Sequence, residues 1–179
     1  QTHAFQGLSS LTGLFLVKNN LTDITEGVFQ NLTALTHLAL GRNNIIFIVA
    51  QSFIGLSNLE DLDLAYNKIT TIGSDTFKHL TSLTWISLQY NTLTSITLAG
   101  FMGVPLLTLD LSRNNLTYIS DVGVFLDTVP NLEALHLSDN PLYCDCDLDP
   151  LRKWYKANYP SEPATCTYPA ELKAQRIAS

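Results

Sequence analysis

This chain of 179 residues has few charged side chains, few cysteines and no long apolar run. Although 46% of its residues are hydrophobic, no stretch approaches the ~18–20 continuous apolar residues that a membrane-spanning helix needs. The chain also opens without the basic and apolar segment of a secretion signal. Lys and Arg number only 10 and form no stripe, and the net charge is −6. These features argue against nucleic acid or an anionic membrane as the main partner.

The sequence instead repeats one motif six times, Leu-x-x-Leu-x-Leu-x-x-Asn-x-Leu, with Ile in place of some leucines. Its asparagines are Asn19, Asn43, Asn67, Asn91, Asn114 and Asn140, at spacings of 24, 24, 24, 23 and 26 residues. A fixed period in this range predicts a solenoid, in which each repeat contacts only its neighbours.

The pattern inside one repeat predicts which side chains point inward. In the third copy, Leu62 and Leu64 alternate with polar residues as in a short strand. The asparagine that follows can satisfy backbone groups of adjacent repeats, so a column of asparagines predicts a hydrogen-bonded ladder. A second column predicts an aromatic spine in the return segments: Phe5, Phe29, Phe53, Phe77, Phe101 and Phe125. We therefore predict an α/β-type repeat solenoid, a curved horseshoe with a parallel sheet on its concave face and irregular or short-helical returns on its convex face.

Two repeats depart from the period. One residue is missing between Val104 and Leu106, and the return at 120–130 is longer by two residues. We interpret both as local distortions of the outer side; the alternative for 120–130 is a bulge that contacts ligand. The repeats occupy residues 1–140, as one partial and six in-phase units without an N-terminal cap.

The three cysteines, Cys144, Cys146 and Cys166, lie in the tail after the last repeat. Asn-x-Thr acceptors for N-glycosylation start at Asn20, Asn31 and Asn115. Both features favour an oxidising, extracellular setting. Three cysteines without a nearby histidine do not make a tetrahedral zinc site.

Repeat and tail together resemble the animal extracellular leucine-rich repeat proteins with 24-residue repeats and a cysteine-rich C-terminal cap. The matching motifs are Leu35-x-x-Leu38-x-Leu40-x-x-Asn43-x-Ile45 and the tail Asn140-Pro141-Leu142-Tyr143-Cys144-Asp145-Cys146 with Trp154 and Cys166. The family includes Slit, Toll-like receptors, Nogo receptor, small proteoglycans and variable lymphocyte receptors. The resemblance implies that 141–179 is a truncated cap in which Cys144 pairs with Cys166 and Cys146 lacks its partner. Spacing alone leaves a Cys146–Cys166 bond open.

Outward strand positions form columns on the concave face, and these predict the ligand-binding residues. Trp85 is an apolar ring at such a position, and Trp, Tyr and Arg are enriched at binding hot spots. The predicted binding residues are Trp85, Tyr66, Tyr90, Arg42, Arg113, Asp61, Asp63, Asp110, His37 and His136. The alternative is that Trp85 packs over neighbouring concave side chains and binds nothing.

One column also invites a catalytic interpretation, because Ser87, Asp110 and His136 follow one another in it. A triad needs its histidine between serine and aspartate, whereas here Asp110 lies between, and Ser87 and His136 are two strands or ~9.6 Å apart. We predict an Asp110–His136 pair instead. No metal site is expected from Asp63, Asp110 and His136, since nothing closes the coordination sphere. Without a phosphate loop or dinucleotide motif, we predict neither an enzyme nor a cofactor.

The resemblance implies a binding function, generally through the concave face. We expect an extracellular module, secreted or part of an ectodomain, that recognises a protein or a microbial or glycan ligand, foremost within an immune-type receptor. The alternatives are an adhesion or guidance protein that binds a cell-surface receptor, and a structural matrix protein. No oligomeric state follows from the sequence.

Overall fold

Each repeat contributes one short strand to a single parallel sheet. The structure, a computed structural model, describes residues 4–158 and 164–177. In chain order the strands are β1 (Gly13–Phe15), β2 (Asp23–Ile24), β3 (His37–Ala39), β4 (Phe47–Ile48), β5 (Asp61–Asp63), β6 (Trp85–Ser87), β7 (Ser95–Thr97), β8 (Thr108–Asp110), β9 (Tyr118–Ser120), β10 (Ala134–His136), β11 (Leu142–Tyr143) and β12 (Cys166–Tyr168). The helices are α1 (Val122–Thr128) and α2 (Asp149–Asn158), and 3-10 turns cover Leu98–Phe101, Cys146–Leu148 and Ala170–Leu172.

The sheet confirms the predicted solenoid. Its strand order is β1-β3-β5-β6-β8-β10, and equivalent positions of adjacent repeats are paired in register. Trp85 thus lies between Asp61 and Thr108, one strand away on either side. Because side chains alternate along a strand, the central residues of β5 and β6, Leu62 and Ile86, point inward and are fully buried.

The asparagine ladder closes the turn after each strand. Asn67 Nδ2 donates to the carbonyl of Leu64 in its own repeat at 3.0 Å and to that of Leu40 in the preceding repeat at 3.1 Å. Its Oδ1 accepts from the amide of Ile45 at 3.1 Å. The asparagines of the four other internal repeats, Asn43, Asn91, Asn114 and Asn140, make the same set of bonds. These bonds satisfy backbone groups that the turn leaves unpaired, and they tie consecutive repeats together.

The return segments carry the predicted phenylalanine spine. Ring centroids of successive phenylalanines lie 5.0–6.4 Å apart from Phe5 to Phe125. The first five rings are stacked, but Phe125 meets Phe101 at an interplanar angle of 68°. Phe125 lies in α1, so the longer return at 120–130 forms a short helix and turns its ring relative to the column.

The tail covers the open end of the last repeat. The hydroxyl of Tyr155 on α2 donates to the carbonyl of Leu135 in β10 at 2.7 Å, and Leu142, Leu148 and Leu151 extend the buried core. Cys144 and Cys166 form a disulfide, whereas Cys146 is a free, exposed thiol. In the part of the chain that the structure describes, no helix is long and apolar enough to cross a bilayer.

Candidate binding site on the concave face

The residue before each ladder asparagine adopts a left-handed backbone conformation. The φ angles of this column, Lys18, Arg42, Tyr66, Tyr90, Arg113 and Asp139, lie between 53° and 58°. Non-glycine residues enter this region at a steric cost. The conformation recurs in all six repeats, including at Lys18 before Asn19, whose side chain donates within its own repeat.

Four of these side chains stack into an array that we call the Arg–Tyr ladder (Arg42, Tyr66, Tyr90 and Arg113). The two tyrosine rings are stacked, with centroids 4.2 Å apart and planes 15° apart. The guanidinium carbon of Arg42 lies 4.3 Å from the Tyr66 centroid, and that of Arg113 lies 4.7 Å from the Tyr90 centroid. Arg113 Nε also donates to Asp139 Oδ2 at 3.1 Å.

The Arg–Tyr ladder is ordered before any ligand arrives. Each cation–π contact at an exposed site stabilises by about 0.5–1 kcal/mol, and a stacked aromatic pair adds about 0.5–1.5 kcal/mol. Side chains fixed in this way lose little conformational entropy when a partner binds. Tyr66 nevertheless keeps 37% of its surface exposed, so the rings remain available for contact.

Trp85 begins β6 at the middle of the sheet, and 37% of its surface is exposed. Well over half of its surface is therefore covered by its neighbours. Partial burial fits both packing over concave side chains and contact with a partner. Its role in binding stays a prediction.

Acidic side chains also lie on the concave face, and one of them, Asp63, is close to the Arg–Tyr ladder. Asp61 Oδ2 lies 2.9 Å from Nε2 of His37 on the adjacent strand. Asp63 Oδ1 accepts from the amide of Ala65 at 2.8 Å. Burial raises the pKa of Asp63 above its ordinary value of 3.8, partly offset by the Ala65 amide and the positive charge of Arg42.

The Asp110–His136 pair stays a prediction, and the two residues lie in register on adjacent strands. Asp110 is also bonded to Ser112, whose amide and hydroxyl donate to Asp110 Oδ1 at 2.9 and 2.6 Å. An aspartate readily binds the backbone two residues ahead. Ser87, considered above as a nucleophile, is 5% exposed. Within 4–158 and 164–177 no group of three His, Cys, Asp or Glu could hold a metal ion.

Sequence reasoning missed a second exposed aromatic cluster, on the flank where the chain leaves the ladder. The rings of Tyr118 and Tyr143 stack with centroids 5.6 Å apart, and they are 56% and 38% exposed. The exposed Phe47 occupies the same position as Tyr118, four residues after its ladder asparagine, three repeats earlier. Tyr143 lies three residues after its ladder asparagine, so an alignment of this column would have revealed Phe47 and Tyr118 but not the stacked pair.

The glycosylation candidates lie away from the centre of the face. Asn20, Asn31 and Asn115 are all exposed, and Asn20 Oδ1 accepts from Asn44 Nδ2 at 2.6 Å. Asn20 and Asn115 directly follow their ladder asparagines, and Asn31 lies in a return segment. Their use stays a prediction.

The repeat, the ladder and the spine point to one family, and comparison with known proteins decides it. The family model described as "Leucine rich repeat" matches residues 1–45, 35–93 and 57–116. The chain belongs to the leucine-rich repeat family. The resemblance inferred from the sequence is thereby confirmed.

Relatives match part of this leucine-rich repeat chain. Chondroadherin of Rattus norvegicus is 40% identical over 80 residues, which cover 44% of this chain and 21% of chondroadherin. SLIT and NTRK-like protein 6 of Mus musculus is 35% identical over 80 residues, which cover 43% of this chain and 9% of that protein. Platelet glycoprotein Ib beta chain of Mus musculus is 39% identical over 72 residues, which cover 38% of this chain and 34% of that protein. These relatives are extracellular or cell-surface proteins, and the match spans about a fifth of the length of chondroadherin.

A solved structure reproduces the fold over nearly the whole chain. The crystal structure of human 5T4 (Wnt-activated inhibitory factor 1, trophoblast glycoprotein) superposes with a TM-score of 0.65 and covers 94% of this chain and 75% of that one. Sequence identity is 22%, so the likeness concerns the fold alone.

Proposed function

We propose that this chain is an extracellular recognition module that binds a protein partner through its concave face. Trp85, Tyr66 and Tyr90 form the centre of the contact. The observation that carries the proposal is the Arg–Tyr ladder, which holds two rings and two guanidinium groups in place beside a partly exposed indole. Trp, Tyr and Arg in such pre-ordered arrangements are the side chains that dominate binding energy at protein interfaces.

The surrounding residues support the same face. Arg42, Arg113, Asp61, Asp63 and Asp110 supply a polar rim of the kind that surrounds an apolar interface centre. Glycans on Asn20, Asn31 and Asn115 would leave that centre uncovered.

The relatives favour one class of protein within this proposal. Chondroadherin, SLIT and NTRK-like protein 6 and platelet glycoprotein Ib beta chain support a cell-surface or matrix protein that takes part in adhesion. The immune-type receptor with a microbial or glycan ligand, which the sequence resemblance put first, draws no support from them. We therefore place adhesion first and immune recognition second.

The test is a binding screen of the chain against extracellular proteins, with glycans and microbial surface polymers as the competing ligand classes. Each hit is measured again with a Tyr66/Trp85/Tyr90→Ala triple variant. Because Trp85 is largely covered, its truncation alone costs about 1–2 kcal/mol of stability, so binding is measured well below the melting temperature on samples with unchanged circular dichroism.

The matched control is a Phe47/Tyr118/Tyr143→Ala variant, which removes three exposed aromatic side chains from the flank instead of the concave face. Loss of a protein hit in the first variant and its survival in the second is the expected result. A hit that survives the concave variant and is lost in the flank variant would move the binding site to the flank.

A further inference from the structure

The column of residues with left-handed backbone is charged differently at its two ends. From the first repeat to the last it reads Lys18, Arg42, Tyr66, Tyr90, Arg113 and Asp139. The backbone amide of each of the first five donates to a carbonyl of the next repeat, so the backbones of neighbours in the column lie about one strand spacing, 4.8 Å, apart. One end of the column therefore places an arginine beside an aspartate, and the other end places an arginine beside a lysine.

The arginine at the C-terminal end of the Arg–Tyr ladder has a carboxylate partner. The guanidinium carbon of Arg113 lies 4.7 Å from the ring centroid of Tyr90 in the preceding repeat, and its Nε donates to Asp139 Oδ2 in the following repeat at 3.1 Å. The ring holds the guanidinium group in place, and the carboxylate pairs with its charge. This end shows how an arginine stacked on the ladder binds an acidic side chain.

Arg42, at the N-terminal end of the Arg–Tyr ladder, is stacked in the same way but lacks such a carboxylate. Its guanidinium carbon lies 4.3 Å from the Tyr66 centroid, but the next position of the column is Lys18, a second cation. Both cations are exposed, and neither makes an ion pair with a described residue. Because like charges at facing positions of adjacent strands are destabilising, an anion bound at Arg42 would relieve a repulsion that the fold leaves in place.

The acidic residue near Arg42 does not take the place that Asp139 takes at the other end. The carboxylate of Asp63 lies against the backbone of the preceding repeat, where a Cβ on Gly41 would be 2.6 Å from its Oδ2. The attraction of Arg42 is the weakest of the three influences on the pKa of Asp63. Asp63 therefore offsets part of the positive charge at this end without pairing with the guanidinium group.

We propose that the Arg42 guanidinium, with Lys18 beside it in the column, binds an Asp or Glu side chain of the protein partner, as Arg113 binds Asp139. This inference rests on the proposed function and names the chemistry of the partner, an acidic residue whose neighbours contact the stacked tyrosines. A guanidinium group can give a carboxylate two parallel hydrogen bonds. Because Tyr66 already holds the arginine, pairing orders little that was free before.

The rest of the concave face favours a single protein carboxylate over a sulfated glycan. The strands, together with the residue before each, present five carboxylates and no Lys or Arg: Glu60, Asp61, Asp63, Asp110 and Glu133. A long polyanion would be repelled along this surface. One acidic side chain meets only the cationic end of the column.

The test uses two capped synthetic peptides that differ in one carboxylate, Ser-Tyr-Glu-Tyr-Ser and Ser-Tyr-Gln-Tyr-Ser, and a third titration with chondroitin sulfate. The Nε–Hε resonances of the ¹⁵N-labelled chain report contact at each arginine. Arg113 is the internal reference, since its Nε already donates to Asp139. Arg42→Gln removes the stacked cation, and Lys156→Gln, on exposed α2, is the control of equal charge change.

We expect the Glu peptide to shift the Arg42 resonance, to leave that of Arg113 in place, and to bind about two- to five-fold more tightly than the Gln peptide. Arg42→Gln should remove this preference, and Lys156→Gln should keep it. Asp139→Gly should make the Arg113 resonance respond to the Glu peptide as well, because it removes the carboxylate and glycine adopts positive φ without steric cost.

Four results would each overturn the inference. They are equal binding of the Glu and Gln peptides, a preference that survives Arg42→Gln, an Arg113 resonance that stays insensitive in Asp139→Gly, and a larger shift at Arg42 with chondroitin sulfate than with the Glu peptide.

A protein hit from the screen separates this inference from the proposed function. If the hit is lost in the aromatic triple variant but unchanged in Arg42→Gln, concave-face recognition stands and the acidic partner residue is wrong. If the hit survives both variants, both proposals fail.

Discussion

Replacing Asn67 by alanine tests whether the ladder holds consecutive repeats together. The buried side chain donates to the carbonyls of Leu40 and Leu64 and accepts from the amide of Ile45. Alanine leaves the Ile45 amide without its acceptor in a buried site, which costs about 1–3 kcal/mol, and each lost bond contributes about 1 kcal/mol net. We expect a total loss of about 2–4 kcal/mol in the free energy of unfolding.

The chain supplies a matched control at the end of the ladder. Asn19 is exposed and donates to the carbonyls of Leu16 and Val17 in its own repeat. The same substitution there should cost less than about 1 kcal/mol, because water replaces the bonds. Urea unfolding followed by far-ultraviolet circular dichroism measures the loss in the free energy of unfolding for both variants, provided that the m value is unchanged. Equal losses at the two positions would refute the argument that bonds between repeats carry the effect.

Three further predictions concern Asp63, Gly41 and Tyr155. Because burial raises the pKa of Asp63, the contribution of this carboxyl group to stability is full below pH 3.8, its ordinary pKa, and is lost as pH rises through the raised pKa. Thermal melts should therefore show Asp63→Asn more stable than the unmodified chain at pH 7 but not at pH 3. The control variant Asp127→Asn should melt like the unmodified chain at both pH values. A Cβ on Gly41 would lie 2.6 Å from Asp63 Oδ2, so Gly41→Ala should displace that carboxylate and return its NMR-measured pKa toward the ordinary value. Tyr155→Phe removes the hydroxyl that donates to Leu135 and should lower the urea-derived free energy of unfolding by about 1 kcal/mol, whereas an unchanged value would mean that water replaces the bond.

The fold could be predicted because the repeat fixes the register. Once Asn67 and Asn91 are aligned, the position of each side chain relative to its neighbour in the next repeat follows, and Trp85 must lie beside Asp61. The sequence predicted that the return at 120–130 departs from the regular repeat, but not that it contains the helix at 122–128. Two extra residues show where the return must differ from the others, but they do not determine the backbone conformation that accommodates them.

The candidate site was harder to predict, since it depends on choices between competing partners. Asp110 has a histidine on the next strand and a serine two residues ahead, and the sequence pattern did not reveal that Ser112 donates two hydrogen bonds to its Oδ1. The sequence identified Tyr66 and Tyr90 as candidates, yet their stacking with Arg42 and Arg113 follows from a left-handed backbone that no residue preference announces. Side-chain direction, rather than position, was the missing quantity.

The left-handed column itself separates structural from functional residues. Glycine and asparagine adopt positive φ at least cost, so a position chosen for backbone geometry alone would favour them. This column instead holds Lys, Arg, Tyr, Tyr, Arg and Asp, each with φ near 55°. Lys18 adopts the same conformation before Asn19, whose side chain donates within its own repeat, so the turn has this geometry in every repeat whichever residue occupies it. The backbone therefore does not explain the large aromatic and cationic groups at Tyr66, Tyr90, Arg42 and Arg113. Their stacking on the open face of the sheet is the reason we propose that they contact a partner outside the chain.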